Sequence, residues 1–172
     1  MNKSKEFLAE QEEACKRSHT AYEFAKANKD ADIEKCQKAA CKDAYYAYVF
    51  ARNIKGADIR YCQYQLVKSP IHAYWFADDV IGADIEFCQE IVCKNTYWAY
   101  MFAKYIKGAD IKKCQEAACK NPCDAYGFAK DIIGADIEYC QKAACKNHYW
   151  SKRIAEDIPG ADKKKYLIYS LL

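Results

Sequence analysis

The sequence predicts an all-α protein: a right-handed α-solenoid, or superhelix, of about six helix-turn-helix repeats of 26 residues. Three observations lead there. An Ala-Asp pair recurs at Ala31-Asp32, Ala57-Asp58, Ala83-Asp84, Ala109-Asp110, Ala135-Asp136 and Ala161-Asp162, always 26 residues apart and with no insertion or deletion. Each repeat holds two apolar stripes with the i, i+3, i+4, i+7 spacing of a helix. Nowhere does the chain show the apolar-polar alternation of a half-buried strand.

The elements follow in order. Gln11, Cys15 and Lys16 stand one period ahead of Gln37, Cys41 and Lys42, so residues 1–16 read as a capping half-repeat with a charged helix. Full repeats are expected at 17–42, 43–68, 69–94, 95–120 and 121–146, and a C-terminal capping repeat at 147–172, all in a single domain. Within 43–68, Ala47, Phe50, Ala51 and Ile54 form the stripe of a first helix. Gly56 supplies the left-handed residue expected to end it, and Asp58 is placed to cap the next helix. Ile59, Cys62, Gln63, Leu66 and Val67 form the second stripe, with Lys68 at its C-terminal end, where a cation suits the helix dipole. Ser69-Pro70 and Asn121-Pro122 read as N-cap and first-turn signals. Near the C-terminus Tyr166 and Leu171 replace cysteines, and KKKYLIYSLL reads as a lysine-rich entry to a last apolar helix. Helices of about ten residues are marginal alone in water, so their apolar faces must be buried by stacking.

The repeat YWAYMFAKYIKGADIKKCQEAACKNP, with its stripe of Ala99, Phe102 and Ala103, its tight turn and its small apolar stripe of Ala117, Ala118 and Cys119, resembles the leucine-rich repeat variant class. The resemblance implies a helix, a tight turn and a second helical segment per repeat. That class carries an iron–sulfur cluster in a separate cysteine-rich segment. No such segment stands in this sequence, so no cofactor is implied.

Net charge is +3, from 27 basic and 24 acidic side chains, which gives no strong pull toward nucleic acid or membrane. Uncharged stretches fall far short of the roughly 20 apolar residues of a membrane span. The N-terminal MNKSKEFLAEQEEACKRS has no apolar signal-peptide core, so an intracellular, cytoplasmic protein is expected. The cysteine count, 11, is odd, which favours free thiols in a reducing compartment over a disulfide framework.

Those cysteines fall in two series, Cys36, Cys62, Cys88, Cys114, Cys140 and Cys41, Cys93, Cys119, Cys145. Within a repeat they lie five residues apart, about 140° around a helix, a poor arrangement for gripping one ion. Equivalent cysteines of neighbouring repeats are a helix spacing apart, too far for a disulfide. Val67 takes a cysteine's place and is expected in the core, so the thiols read as small buried hydrophobes, with no metal. Cys123 breaks the series near a helix N-terminus, which lowers a thiol's pKa, so it is the cysteine to test for reactivity, although an idle surface thiol is the favoured reading. Gln37, Gln63, Gln89, Gln115 and Gln141 fall within the apolar stripe, where a buried amide must find partners, and are expected to form a hydrogen-bonded ladder between repeats or turns. The tyrosines at 22, 48, 74, 100 and 126 are expected half-buried, each hydroxyl reaching a polar group.

Positions that vary between repeats are the ones free to recognise something. Across the outer face of the first helices they read Tyr46, Val49, Asn53; His72, Trp75, Asp79; Trp98, Met101, Tyr105; Asp124, Gly127, Asp131; Trp150, Arg153, Asp157. Aromatic and Met clusters mark interaction surfaces. A non-enzymatic scaffold binding a partner protein through Tyr46, His72, Trp75, Asp79, Trp98, Met101 and Tyr105 is therefore expected. The same face is compatible with packing inside the fold or on a second copy in a homo-oligomer. Helical repeats also read RNA. Here the cations Lys26, Arg52, Lys104 and Lys130 share one position, but Asp78 and Glu156 interrupt the track. The near-identical copies suggest recent duplication, as in mobile or fast-evolving genes, and a protein-binding inhibitor encoded by a mobile element or phage fits the same pattern. Catalysis has little basis: His19, His72 and His148 fall in no recognised spacing with Cys or Asp, and each glycine is isolated.

Overall fold

A computed structural model describes residues 4–164, and Tyr166, Leu171 and the expected last helix lie outside them. Among the described residues there are twelve α-helices and no strand, so the chain is an all-α helical repeat. The chain divides between Asp84 and Ile85 into two compact units. The first holds α1 (Lys5–Ala14), α2 (Ser18–Ala27), α3 (Ile33–Ala40), α4 (Ala44–Asn53), α5 (Ile59–Tyr64) and α6 (Pro70–Asp79). The second holds α7 (Ile85–Val92), α8 (Thr96–Tyr105), α9 (Ile111–Ala118), α10 (Pro122–Asp131), α11 (Ile137–Ala144) and α12 (His148–Asp157). First helices and second helices each begin 26 residues after the last of their kind, from α2 and α3 onward.

The packing follows one rule in both units. In the first, α2 packs on α3 and α4 on α5, while α2, α4 and α6 lie side by side. In the second, α8 packs on α9 and α10 on α11, while α8, α10 and α12 lie side by side. Phe50, Phe76, Phe102 and Phe128, one on each of α4, α6, α8 and α10, have no exposed surface. Burying one such ring contributes roughly 1.5–3 kcal/mol. Ala47, Ala73, Ala99 and Ala125, also wholly buried, keep the neighbouring backbones close.

Helix starts are capped as the sequence suggests. The carboxylates of Asp32, Asp58, Asp110 and Asp136 accept from the backbone N–H three residues on, at 2.9–3.1 Å. Asp43, Asn95, Asn121 and Asn147 do the same for α4, α8, α10 and α12. Ser69 does not: its hydroxyl lies 2.6 Å from His72 Nδ1 instead, and Pro70 alone marks the start of α6. The glycine also acts differently from expectation. Ile54 ends α4 in extended backbone, and Gly56, at φ 85°, is the third residue of a turn closed by Ala57 N–H to the Ile54 carbonyl at 3.1 Å. That is a type II turn, whose third position needs positive φ.

One core assignment is overturned. Val67 is 42% exposed. Its helix, α5, stops at Tyr64, and the chain tightens into bonds from Gln65 N–H to Cys62 and from Leu66 N–H to Gln63. The change of pitch keeps Leu66 in the core and turns Val67 out of the stripe.

The recurring glutamines form the expected ladder, by a specific geometry. Gln37 Nε2 donates to the Asp58 carbonyl at 2.8 Å, and Asp58 N–H donates to Gln37 Oε1 at 2.9 Å. The same two bonds join Gln11 to Asp32, Gln63 to Asp84, Gln89 to Asp110, Gln115 to Asp136 and Gln141 to Asp162. A primary amide offers one donor and one acceptor side by side, so it matches one residue's backbone C=O and N–H. The capping Asp is thus held twice, its side chain by its own helix and its backbone by the preceding repeat. Gln115→Leu keeps the bulk but orphans the Asp136 N–H. It is expected to cost about 1–3 kcal/mol in urea unfolding, and a variant as stable as the parent would contradict the clamp.

Candidate functional site

The outer face of the first helices is built from the residue positions that vary. In the first unit the rings of Tyr45 and Tyr46 lie 5.2 Å apart, Tyr45 and His72 6.0 Å, His72 and Trp75 5.3 Å, and Trp75 and Tyr48 5.8 Å. Edge-to-face and tilted contacts of this kind are favourable for aromatic pairs. Tyr46, His72 and Trp75, singled out from the sequence, are thus one cluster of half-buried rings, and Tyr45 is the link that periodicity did not reveal. Burial holds the His72 imidazole below its usual range, against the opposing pull of Asp43.

In the second unit Trp98 is half-buried and packs edge-on against Tyr97 at 5.2 Å, and Met101 is half-buried. Tyr105 is 55% exposed, with the Lys104 ammonium 5.5 Å from its ring centre. Farther along, Trp150 packs at a tilt against Tyr126 at 5.3 Å and edge-on against Tyr149 at 4.8 Å.

Asp79 sits in a different setting. It accepts a hydrogen bond from the Tyr48 hydroxyl and pairs with Arg52 at 3.2 Å. Its position recurs as Asp131, bonded to Tyr100, and as Asp157, bonded to Tyr126 at 2.6 Å, while Asn53 donates to Tyr22 at 2.9 Å. This is a second ladder, linking α2 to α4 and α4 to α6 in the first unit and α8 to α10 and α10 to α12 in the second. Burial, helped by the bond to Asp79, pushes the Tyr48 hydroxyl up to about 12. The cations next to these tyrosines are engaged as well: Lys26, Arg52, Lys104 and Lys130 lie 5.4–5.9 Å over the rings of Tyr22, Tyr48, Tyr100 and Tyr126. The basic series is therefore folded into the tyrosine ladder.

The second helices carry the thiols, and here the spacing argument was incomplete. Equivalent cysteines do not face each other, but the cysteine ending one second helix meets the cysteine inside the next. Cys41 and Cys62 sulfurs lie 3.5 Å apart, Cys119 and Cys140 3.6 Å, and Cys15 and Cys36 3.9 Å. Cys123 is exposed, but its thiol is pushed up rather than down, by partial burial and by Asp124 beside it. The neighbouring Cys114 thiol and Lys113 hold the Cys93 thiol below its ordinary value, against partial burial, and its Sγ lies 3.9 Å from the Lys113 carbonyl.

Two clefts lie between successive second helices. One, of about 320 Å³, is lined by Glu34, Gln37, Lys38, Gly56, Asp58 and Tyr61. Its counterpart, of about 100 Å³, is lined by Lys112, Gln115, Glu116, Asp136 and Tyr139. Their groups already have structural duties: Asp58 and Asp136 cap helices, Gln37 and Gln115 form clamps, and Glu34 pairs with Lys38 at 2.5 Å. Among the described residues no three His, Cys, Asp or Glu side chains converge as ligands of a metal ion would, and no helix is long and apolar enough to cross a membrane. No family model, curated protein or solved structure matches the chain.

The tyrosine ladder makes stability depend on pH. The Lys104 ammonium and the Tyr100 hydroxyl beside Asp131 hold its carboxyl below the usual carboxylate range. A carboxyl whose pKa is depressed on folding stabilises the fold above its unfolded pKa of about 3.9, and that stability is lost as pH falls through the folded value. Asp131→Asn is expected to melt below the parent near neutral pH, with the gap narrowing below about pH 4. A gap constant with pH would show that Asp131 carries no stabilising charge.

Proposed function

We propose that the chain is a non-enzymatic scaffold: a right-handed α-solenoid of the short two-helix kind, resembling the leucine-rich repeat variants, that binds a partner protein through the aromatic face of its first helices. The observation that carries this reading is the division of labour among positions. Residues identical from repeat to repeat build the stack through Phe, Ala, Gln and Asp contacts. Residues that differ include the half-buried cluster of Tyr46, His72 and Trp75 in one unit, and half-buried Trp98 and Met101 with exposed Tyr105 in the other. Trp and Tyr are the residue types that dominate binding energy at protein interfaces, and Met adapts to irregular surfaces. Within this reading Asp79 contributes by holding Arg52 and the Tyr48 hydroxyl, whose ring lies 5.8 Å from that of Trp75. The nucleic-acid alternative is weakened by the cations that lie over tyrosine rings.

Affinity capture from the native host, followed by mass spectrometry and repeated with the Trp75→Ala/Trp98→Ala double variant, tests the reading. Loss of a hot-spot Trp costs 2 kcal/mol or more, about 30-fold in affinity per residue. The expected result is a protein held by the parent and lost by the double variant. Equal retention by both would remove the aromatic face from consideration, and salt-sensitive recovery of RNA in place of protein would favour nucleic-acid binding.

A further inference from the structure

Position 127 departs from a rule that other first helices keep. A ladder tyrosine is faced, 27 residues on, by a side chain of the next first helix. Trp75 faces Tyr48, with 5.8 Å between the rings, and the Arg153 guanidinium lies 5.8 Å from the centre of the Tyr126 ring. For Tyr100 the corresponding residue is Gly127. A Cβ at 127 would stand 3.3 Å from Tyr100 Cζ and 3.5 and 3.6 Å from its Cε atoms, so this position looks onto the ring face and places no side chain there. Exposure follows from this. Tyr48 and Tyr126 are 5% and 8% exposed, whereas Tyr100 is only half-buried. Glycine also weakens a helix interior relative to alanine, so the stability of α10 does not account for Gly127.

The neighbouring repeat shows what fills this place when a side chain is present. Arg153 Nη2 donates to the Tyr126 hydroxyl at 3.4 Å and pairs with Asp157 at 2.7 Å. It does so although Lys130 already donates to the same hydroxyl at 3.2 Å, so the fold accommodates a second cation. Tyr100 has the matching parts. Asp131 stands in the place of Asp157 and accepts from the Tyr100 hydroxyl, and Lys104, in the place of Lys130, donates to that hydroxyl at 3.1 Å. It also has one part more. Asp124 takes the position of Trp150, and among the described residues no cation pairs with its carboxylate. Arg153 Nε, beside Trp150 in the repeat, is buried without a hydrogen-bond partner.

We propose that Tyr100, Gly127, Asp124 and Asp131 form a seat for an arginine side chain of the partner protein, lodged where Arg153 lies against Tyr126. The proposal rests on the partner-binding reading above and names the chemistry of one contact within it. A guanidinium is planar and weakly hydrated, so it lies on an aromatic face at less cost than an ammonium, and its fork of donors suits carboxylates. Charge points the same way. Asp124 and Asp131 together outweigh the one ammonium of the seat, that of Lys104, which pairs with Asp131 at 2.6 Å. An apolar side chain in the same place would leave Asp124 without a counter-charge.

The test follows the isotopically labelled full chain by NMR as N-acetyl-arginine amide is added. The Gly127 amide is the reporter, one of six glycines in the chain. Its signal should shift saturably, with a dissociation constant on the order of millimolar. N-acetyl-lysine amide should bind about fivefold more weakly. Asp124→Asn should weaken the arginine compound about fivefold. Gly127→Arg, followed at the Asp124 amide, should abolish its binding, because the variant's own guanidinium takes the seat. A Gly127 signal that stays still, an equal response to the lysine compound, or an unchanged titration in either variant would overturn the proposal. Affinity capture separates it from the wider reading. A protein held by the parent and by Gly127→Arg but lost by Trp75→Ala/Trp98→Ala would overturn the arginine seat and keep the aromatic face. The expected titration beside a capture that the double Trp variant leaves intact would keep the seat and overturn the aromatic face.

Discussion

One primary amide per repeat, closed on the backbone of one aspartate in the next, is the constraint on which the rest of this structure depends. The Gln37 amide and the Asp58 backbone exchange two hydrogen bonds at 2.8 and 2.9 Å, and the same pair recurs in both compact units. The acceptor backbone is a helix N-cap, whose N–H has no partner within its own helix. A buried amide and an orphaned N–H would each be costly alone. Joined, they set the position of one second helix on the next to within a hydrogen bond's tolerance. Apolar packing, which is not directional, could not do this by itself.

The clamp also explains contacts that look unrelated to it. Gln37 Nε2 reaches the Cys62 sulfur at 3.3 Å, as Gln115 Nε2 reaches Cys140. The thiol contacts span the same 21 residues as the clamps, five fewer than the period. The tyrosine ladder on the first helices spans 31, five more than the period. Neighbouring helices therefore meet with a stagger of about one and a half turns, of opposite sign on the two faces. This stagger decides which side chains of consecutive repeats can touch. It occupies Asp79, Asp131 and Asp157 internally and leaves the rings beside them as the variable surface.

Much of this was legible in the sequence, because the period is strict. The buried Phe50, Ala47, Ala51 and Ile54 and the Asp58 cap followed from helical spacing and capping chemistry alone, and the glutamine ladder from the need to satisfy a buried amide. What failed to be legible was the stagger. Comparing each cysteine with its equivalent 26 residues away, or with its neighbour in the same helix, passes over the partner at 21, so the thiol pairs were missed. Val67 was misplaced because the tightening of α5 is a local change of pitch that an apolar stripe does not reveal. At Cys123 partial burial and the adjacent Asp124 outweigh the helix N-terminus, in keeping with an idle surface thiol. The aromatic cluster was half seen: Tyr46, His72 and Trp75 vary from repeat to repeat, but the contact through Tyr45 depends on ring orientation.

Amide hydrogen exchange tests the clamp most directly. The N–H groups of Asp58, Asp110 and Asp136 stand at helix starts, where exchange is ordinarily fast because no helical partner exists. If each is held by a buried glutamine oxygen, its exchange should be slowed to nearly the rate of core helical amides such as that of Phe102. Exchange of those three amides at unprotected rates, while the Phe102 amide stays protected, would contradict the claim that side-chain amides hold the repeats in place.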